Sequence, residues 1–300
     1  MTQEDLERTP REEILWRQLY QKAKENLTSK DFDVPDMEAR WIVEKASGYQ
    51  GTEFTSAMDE KASTLEIKHF EAILEKRLAG QPLQYALGSW GFRNLDLYID
   101  NRVLIPRPET EILVDIAHAL LSDCNAENPH LVGDLGTGSG AVGLAIAQER
   151  QDVQVFLTDS SQDALKVAAA NLAGLGNDAR KVHILHGSWF EPIPKEHRES
   201  FSLIVANPPY ISIDERLPTE VADWEPHAAL YAGKKGTEDI EKILNEAHHW
   251  LHPRGAMAIE MAPHQTEVMA QKAKEIGYSN IEIHKDLTQK DRIMSCTWKP

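Results

Sequence analysis

The sequence predicts an α/β protein in which a mostly parallel sheet of seven strands follows a small helical domain. Segments typical of strands and helices alternate from residue 131 to residue 298, which indicates a parallel sheet covered by helices on both faces. A glycine-rich segment follows the first of these strands. The first 80 residues carry only the apolar spacing of helices, so they are expected to fold as a separate unit.

Residues 1–80 are predicted to form the helical domain. Apolar residues recur at helical spacing from residue 11 to about 28 and again over residues 35–48. A third helix is predicted after Ser63, which forms a capping box with Glu66. We interpret the apolar and aromatic residues of these helices as core.

Residues 81–105 are predicted to form a β-hairpin that links the two domains. Leu95, Leu97 and Ile99 alternate with polar residues, which is typical of a strand with one buried face. Residues 100–101, Asp-Asn, are expected to form the turn, and the apolar residues that follow are expected to form the second strand.

The remaining residues, 106–300, are predicted to form the α/β domain. Its first helix is expected to carry the apolar residues of 112–121. The elements that follow are expected to be strand 131–135, helix 139–150, strand 153–158, helix 161–174, strand 182–187, strand 201–206, helix 237–252, strand 256–261, helix 264–276 and strands 280–286 and 292–298. The last two strands are predicted to form a hairpin that could place one antiparallel strand in the sheet.

Composition and charge disfavour several functional classes. The formal net charge is -16, and no basic stripe of the kind that nucleic-acid binders use is visible. No apolar run approaches the roughly 20 residues that span a bilayer, and the acidic N-terminus lacks a secretory or transit signal, so a cytoplasmic protein is expected. Cys124 and Cys296 are far apart, and no metal site is predicted.

The sequence Asn207-Pro208-Pro209-Tyr210 directly follows the predicted buried strand 201–206. Two prolines cannot continue a strand ladder, so the chain is expected to leave the sheet in a rigid, extended turn. Ligands of open parallel sheets bind at the carboxyl ends of strands. The Asn207 amide oxygen and the Pro208 carbonyl could accept both hydrogens of a planar NH2 group, and the Tyr210 ring could pack on its face. The alternative interpretation is a stiff loop without function.

The segment Gly136-Thr137-Gly138-Ser139-Gly140 lies between the first strand of the sheet and its helix. Glycines there allow a tight turn and a close approach of the backbone to a ligand. Asp159 ends the next strand, where a carboxylate can accept bonds from both ribose hydroxyls. Trp189 could lie against an adenine face, although a core tryptophan is an equally good interpretation. These residues predict a nucleotide-like ligand.

The glycines alone leave the ligand open, because the same segment with Ala141 also satisfies the dinucleotide pattern. Two features favour a ligand with an amino-acid tail. Asp134 precedes the first glycine, where it could bind a cationic tail, and Asn207 begins the proline turn of the fourth strand. A nicotinamide cofactor would leave that turn unexplained.

These motifs together resemble the class I S-adenosylmethionine-dependent methyltransferases, which have a Rossmann-like fold. More specifically, they resemble the HemK/PrmC family of protein-(glutamine-N5) methyltransferases that modify peptide chain release factors. The resemblance covers nearly the whole chain and rests on the N-terminal helical domain, residues 104–111, the glycine segment, Asn207-Pro208-Pro209-Tyr210-Ile211, Glu225-Pro226 with Ala229-Leu230, and Glu260 with Gln265. One departure is visible: the family pattern Asp-x-x-Gly-x-x-Arg appears here as residues 286–292 without its glycine.

The resemblance implies that the helical domain, residues 1–80, recognises the substrate, and it also implies roles for individual residues. The segment from Gly136 to Gly140, together with Asp159, Trp189 and Asn207, would contact S-adenosyl-L-methionine. Catalysis would fall to Asn207, Pro208 and Tyr210, and the whole turn including Pro209 would hold the substrate glutamine. That glutamine would belong to the Gly-Gly-Gln loop of a class 1 release factor, with no direct nucleic-acid partner and no membrane. The roles of Arg107, Glu109 and Glu111 stay open.

Three other functions remain as alternatives. A DNA adenine-N6 methyltransferase would present the same two-hydrogen plane to Asn207 and Pro208, but it would be expected to bind DNA with steep salt dependence. An oxidoreductase would bind a nicotinamide cofactor in place of S-adenosylmethionine. A non-enzymatic binding module would bind the cofactor without catalysis.

Overall fold

A computed structural model of the chain describes residues 13–124 and 129–299. The chain divides into two compact units, Met1–Leu87 and Gly88–Pro300. The predicted start of the first helix, at residues 11 and 12, lies outside the described residues. In the described part of the chain, no helix is long and apolar enough to cross a membrane, and no group of three or more potential ligands could hold a metal ion.

The first unit is helical, as the sequence predicts. Its helices are α1 (Trp16–Ser29), α2 (Pro35–Ser47), α3 (Thr52–Ser56), α4 (Thr64–Leu78) and α5 (Leu83–Leu87). The capping box of α4 is confirmed, because the Ser63 hydroxyl accepts a bond from the Glu66 N–H and the Glu66 carboxylate accepts one from the Ser63 N–H. Buried apolar side chains of these helices, among them Trp16 and Phe70, form the core of this unit.

A buried ion pair joins two helices of this unit. Arg77 of α4 donates two bonds to the Glu38 carboxylate of α2, at 2.7 and 2.9 Å, and both side chains are buried. The Arg77 guanidinium also lies 4.1 Å from the centre of the Phe32 ring. Two opposite, fully hydrogen-bonded charges can be buried together, whereas either one alone would be costly.

The second unit begins with a β-hairpin whose position differs from the prediction. Strands β1 (Ser89–Phe92) and β2 (Leu95–Tyr98) pair antiparallel around a turn at Arg93, which has a left-handed backbone. The predicted strand at 103–105 was therefore wrong. A turn does form at the predicted residues 100–101, where the Val103 N–H donates to the Asp100 carbonyl at 3.1 Å, but it does not join two strands. The Ile105 N–H donates to the Glu225 carboxylate instead of to a neighbouring strand. A contact with a residue 120 positions away in sequence decided the local structure.

The predicted strands and helices of the α/β part occur in the predicted order, and the mainly parallel sheet is confirmed; the short helix α9 was not predicted. Its elements are α6 (Glu111–Ser122), β3 (His130–Leu135), α7 (Ala141–Glu149), β4 (Val153–Asp159), α8 (Gln162–Ala173), β5 (Val182–His186), β6 (Phe201–Ala206), α9 (Thr219–Trp224), α10 (Glu238–Ala247), β7 (Leu251–Glu260), α11 (Thr266–Ile276), β8 (Tyr278–Lys285) and β9 (Asp291–Trp298). The seven-stranded sheet has the order β5-β4-β3-β6-β7-β9-β8. Only β9 runs antiparallel to its neighbours, as the terminal hairpin predicted.

One boundary in this part was misplaced. The predicted helix 237–252 ends at Ala247, and β7 already begins at Leu251, which pairs with Phe201 of β6. The strand is irregular after this pair, and Arg254 has a φ of 75°. The proline and glycine beside Arg254 obscured the strand pattern in the sequence, because such residues usually mark a loop.

The missing glycine of the pattern at residues 286–292 is explained by the turn between β8 and β9. Gln289 occupies the glycine position and has a φ of 65°, a left-handed conformation that glycine adopts more readily. The Asp286 carboxylate accepts bonds from the N–H groups of Thr288 and Lys290. These side-chain bonds hold the turn in a shape that glycine would otherwise favour.

Candidate active site

The glycine segment after β3 is held by the end of β4. Gly136, Gly138 and Gly140 all have positive φ values, between 55° and 86°, which other residues adopt only with strain. The N–H groups of Gly136 and Thr137 donate to the Thr158 carbonyl at 2.9 and 3.0 Å. Gly140 is the N-terminal cap of α7. The sequence prediction of a tight, ligand-facing turn is consistent with this geometry.

Asp134, two residues before Gly136, supports the turn from within the fold. Its carboxylate accepts bonds from the Thr137 hydroxyl at 2.6 Å and from the Gly143 N–H at 2.9 Å. Burial raises the pKa of Asp134 to about 6. Asp134 also lines the cavity described below. Its direct contact with a cationic tail remains a prediction.

Asp159 lies at the end of β4, where the sequence placed a ribose acceptor. One of its oxygens accepts a bond from the Gly138 N–H at 2.9 Å, and the other accepts one from the Ser161 N–H at 2.8 Å. Burial raises its pKa. A carboxylate has about four acceptor positions, so these two bonds leave capacity for ligand hydroxyls. Asp159 therefore both shapes the glycine segment and offers acceptors to a ligand.

Trp189 follows β5 and faces the glycine segment. A Cβ atom added at Gly136 would lie 3.0 Å from Cζ3 of the Trp189 ring, so the two residues are in close contact. Trp189 has a φ of 48°, which is uncommon for a bulky residue and is associated with functional sites. It packs against the core, as one interpretation of the sequence expected, and it also lines the cavity. Its contact with an adenine face stays a prediction.

Asn207 lies directly beyond the carboxyl end of β6, which neighbours β3 in the sheet. Its side-chain NH2 group donates to the Thr110 hydroxyl at 3.2 Å. Its side-chain oxygen Oδ1 is buried and has no hydrogen-bond partner within residues 13–124 and 129–299. A buried acceptor without a donor is costly unless a ligand supplies one. The oxygen that the sequence predicted to accept a substrate N–H thus has a vacant acceptor position.

The rest of the proline turn is held from outside the cavity. Pro208 is buried and Tyr210 is partly buried. Gln265, at the start of α11, donates to the carbonyls of Tyr210 and Gly236 at 2.9 and 3.0 Å. Burial raises the pKa of the Tyr210 hydroxyl to about 12, so it is a neutral phenol at physiological pH. Gln265 carries a positioning role that local sequence reasoning did not assign.

A single cavity of about 280 Å³ joins these parts. Of the residues predicted to bind ligand, those that line it are Gly136, Thr137, Gly138, Ser139, Asp159, Trp189, Asn207 and Pro209. The predicted residues Gly140, Pro208 and Tyr210 are adjacent in sequence to lining residues and are not part of the described lining. Both motifs therefore meet in one site, although they are about 70 residues apart in the chain.

The segment before α6, residues 102–107, forms one wall of the cavity, and Arg107 binds it to Glu225. Arg107 lines the cavity and donates to one oxygen of the buried Glu225 carboxylate. The other oxygen accepts from the Ile105 N–H. Glu225 thereby ties this segment to the chain beyond α9. Glu111, whose role was also open, accepts a bond from the Arg93 N–H at the hairpin turn.

Two family domains match this chain. Residues 18–88 match the PrmC N-terminal domain, and residues 111–222 match the methyltransferase small domain. Among solved structures, the catalytic domain of hMettl16 in complex with a MAT2A 3′UTR hairpin has a TM-score of 0.55 at 13% identity, covering 74% of this chain and 80% of that one. A methyltransferase from Pyrococcus furiosus has a TM-score of 0.50 at 18% identity, covering 69% and 91%. These likenesses show the class I S-adenosylmethionine-dependent methyltransferase fold.

Curated relatives are similar over most of the chain. The release factor glutamine methyltransferase of Aliivibrio fischeri is 33% identical, over 93% of this chain and 96% of the relative. That of Shewanella oneidensis is 36% identical, over 80% of this chain and 81% of the relative. The chain also matches the bifunctional methyltransferase of Rickettsia typhi, 32% identical, but spans only 56% of that protein's length. This chain belongs to the PrmC family of release factor glutamine methyltransferases.

Proposed function

We propose that this protein transfers a methyl group from S-adenosylmethionine to the side-chain amide nitrogen, N5, of the glutamine in the Gly-Gly-Gln motif of peptide chain release factors. The observation that carries the proposal is the buried Asn207 Oδ1, an acceptor without a donor in the described residues, on a residue that lines the same cavity as the glycine segment. The names of the curated relatives support the same substrate class.

The site residues fit S-adenosylmethionine. The glycine segment allows a close backbone approach, Asp159 has acceptor positions left for ribose hydroxyls, and Trp189 offers a flat ring at the cavity wall. When bound, this cofactor supplies an electrophilic methyl group. The chain's own residues would then have to bring a weak nucleophile to it in the correct direction.

An amide nitrogen is a weak nucleophile because its lone pair is conjugated with the carbonyl, so orientation is the main requirement. Asn207 Oδ1 would accept one N–H of the substrate amide, and the Pro208 carbonyl would accept the other. These two bonds fix the direction of the nitrogen and stabilise the positive charge that develops on it. The Tyr210 ring would pack on the amide plane. Because Tyr210 is neutral at physiological pH, it is not assigned the role of base.

Release-factor binding is proposed for the helical unit, residues 1–87. This unit has its own buried core and contains nearly all of the match to the PrmC N-terminal domain. A small cavity can select a glutamine side chain, but it offers little area for recognising a whole protein partner, since stable interfaces bury about 800 Å² on each side.

Two variants separate cofactor binding from catalysis. Asn207→Ala removes the vacant acceptor and is expected to lower kcat by about 10²–10³. Asp159→Ala removes the ribose acceptor and the support of Gly138, and is expected to weaken cofactor affinity by about tenfold or more. Calorimetry measures affinity for S-adenosylmethionine, and label transfer to a release factor measures kcat. Unchanged kcat in Asn207→Ala would contradict the proposed role.

A further inference from the structure

Glu260, the last residue of β7, is a buried acid that the proposed chemistry does not use. Its side chain is completely buried, and neither carboxylate oxygen has a hydrogen-bond partner of standard geometry in the part of the chain that the structure describes. Strand β7 pairs with β6 so that Ile259 lies opposite Ala206. Asn207 and Glu260 are the residues that directly follow this last pair in the two chain segments. A charged group in such a place requires a specific explanation.

Thr110 connects the two residues. It is buried, and its hydroxyl oxygen accepts the bond from the Asn207 NH2 group. Burial raises the pKa of Glu260 to about 7, and the Thr110 hydroxyl opposes this rise, so the hydroxyl lies near the carboxyl, although the contact does not have standard hydrogen-bond geometry. Thr110 is therefore in a position to use its lone pair toward Asn207 and its proton toward Glu260.

The contacts of Thr110 with Asn207 and Glu260 determine which end of the Asn207 side-chain amide is available to a substrate. A carboxamide has a donor end and an acceptor end, and rotating it by a half turn exchanges them. An ionised carboxylate can only accept hydrogen bonds, so Glu260 attracts the Thr110 proton. The Thr110 lone pair is then directed to the Asn207 NH2 group, and Oδ1 is left as the acceptor.

We propose that Thr110 and Glu260 are positioning residues, which hold the Asn207 carboxamide with Oδ1 available to the substrate amide. This inference rests on the proposed function for its effect on methyl transfer. It goes beyond that function in assigning roles to two residues that do not accept the substrate N–H themselves. It also accounts for a buried acid that would otherwise only destabilise the fold.

The proposal predicts a pH dependence with a defined direction. Glu260 is anionic above its pKa, so activity is expected to rise as the pH increases through about 7. The other charged groups that act on Glu260 are Glu109, which raises its pKa, and Arg107 and Arg292, which lower it. Tyr210 is a further titratable group that interacts with Glu260: burial raises the pKa of the Tyr210 hydroxyl, and the charge on Glu260 adds to this rise.

Four variants of the full chain test the proposal. Thr110→Val keeps the shape of the side chain but removes its hydroxyl, whereas Thr110→Ser keeps the hydroxyl. Glu260→Gln keeps the shape but removes the charge. Ser202→Ala is the matched control, because it deletes a different buried hydroxyl of the same unit, on strand β6, that is hydrogen-bonded to His130 at 3.0 Å. Thermal unfolding of each variant checks that it folds.

Two readouts are needed, and the first does not depend on any release factor. The side-chain NH2 resonance of Asn207 is identified by its loss in Asn207→Ala. It should shift and exchange faster with solvent in Thr110→Val and Glu260→Gln, and stay unchanged in Ser202→Ala.

The second readout is methyl transfer. In Thr110→Val and Glu260→Gln, kcat should fall about tenfold or more while cofactor affinity is retained, whereas Thr110→Ser should keep a kcat close to that of the wild type. The rise in kcat through pH 7 should be absent in Glu260→Gln.

The outcomes distinguish failure of the inference from failure of the proposed function. An Asn207 resonance that is unmoved in both Thr110→Val and Glu260→Gln would overturn the inference, whatever the activity. A resonance that moves as expected, in a wild-type protein that methylates no release factor, would support the positioning roles and contradict the proposed function. Equal losses of kcat in Ser202→Ala and Thr110→Val would show a general packing effect and would also overturn the inference.

Discussion

Replacing Glu260 by glutamine is expected to stabilise the protein at alkaline pH, although the same change is expected to lower activity. Burial raises the pKa of Glu260 from 4.5 to about 7. The folded state therefore binds this proton more tightly than the unfolded state does. Between pH 4.5 and pH 7 the folded protein holds a proton that the unfolded chain has released, so stability falls as the pH rises through this window. Above pH 7 the full cost of the buried charge remains.

The magnitude follows from the two pKa values. Their separation of about 2.5 corresponds to about 3 kcal/mol, at about 1.4 kcal/mol for each pH unit. Glutamine has no charge at any pH and so does not incur this cost. The free energy of unfolding of Glu260→Gln relative to wild type should therefore increase by about 2–3 kcal/mol between about pH 5 and pH 8. Natural proteins retain such destabilising groups where function needs them.

Urea unfolding of the full chain at several pH values measures this difference, and the transition of the sheet-containing unit is the relevant one. Glu282→Gln is a suitable control because Glu282 is an exposed carboxylate on the neighbouring part of the sheet. Its effect should stay within about 0.5 kcal/mol at every pH. A difference between Glu260→Gln and wild type that is the same at pH 5 and pH 8 would refute the reasoning.

Three further predictions concern packing and the cofactor. Gly143→Ala should lower the free energy of unfolding by about 1–3 kcal/mol in urea titrations, because the new Cβ would lie 2.2 Å from a buried methyl of Leu157; unchanged stability would contradict this. Arg77→Met should destabilise the helical unit by about 3–5 kcal/mol, since it leaves the Glu38 carboxylate buried alone; circular dichroism during unfolding measures it, and a loss below 1 kcal/mol would argue against a cooperative pair. Trp189→Ala should weaken S-adenosylmethionine binding about tenfold in calorimetry. Equal affinity in the variant and the wild type would show that Trp189 does not bind the cofactor.

The elements that the sequence predicted well are those whose signals are local. Strand β6 was predicted at its observed bounds because its six residues are all apolar or small, and the prolines after Asn207 end it sharply. The capping box at Ser63 and Glu66 depends on two side chains three positions apart, so it too could be read directly. The glycine segment was predicted for the same reason: its backbone conformation requires glycine at particular positions.

The parts that could not be predicted depend on contacts between distant residues. Nothing near residues 103–105 indicates that the Ile105 N–H will bond to Glu225 and so will not join a strand. The partner of Arg107 is likewise 118 positions away. The lack of a hydrogen-bond donor for Asn207 Oδ1 depends on the folded structure, because residues from distant parts of the chain surround this buried atom without donating to it. The positioning residues Thr110 and Gln265 are of ordinary residue types, and only tertiary contacts reveal what they hold.

The central claim is that the amide presented to Asn207 is the side chain of a release-factor glutamine. The most direct test is transfer of label from S-adenosylmethionine to a purified release factor, followed by mass spectrometry of the peptide that contains Gly-Gly-Gln. A release factor with that glutamine changed to asparagine, and unmethylated DNA, are the controls. The proposed function predicts label on the N5 nitrogen of the intact release factor and on neither control. Label on DNA, or on a release factor without the glutamine, would contradict it.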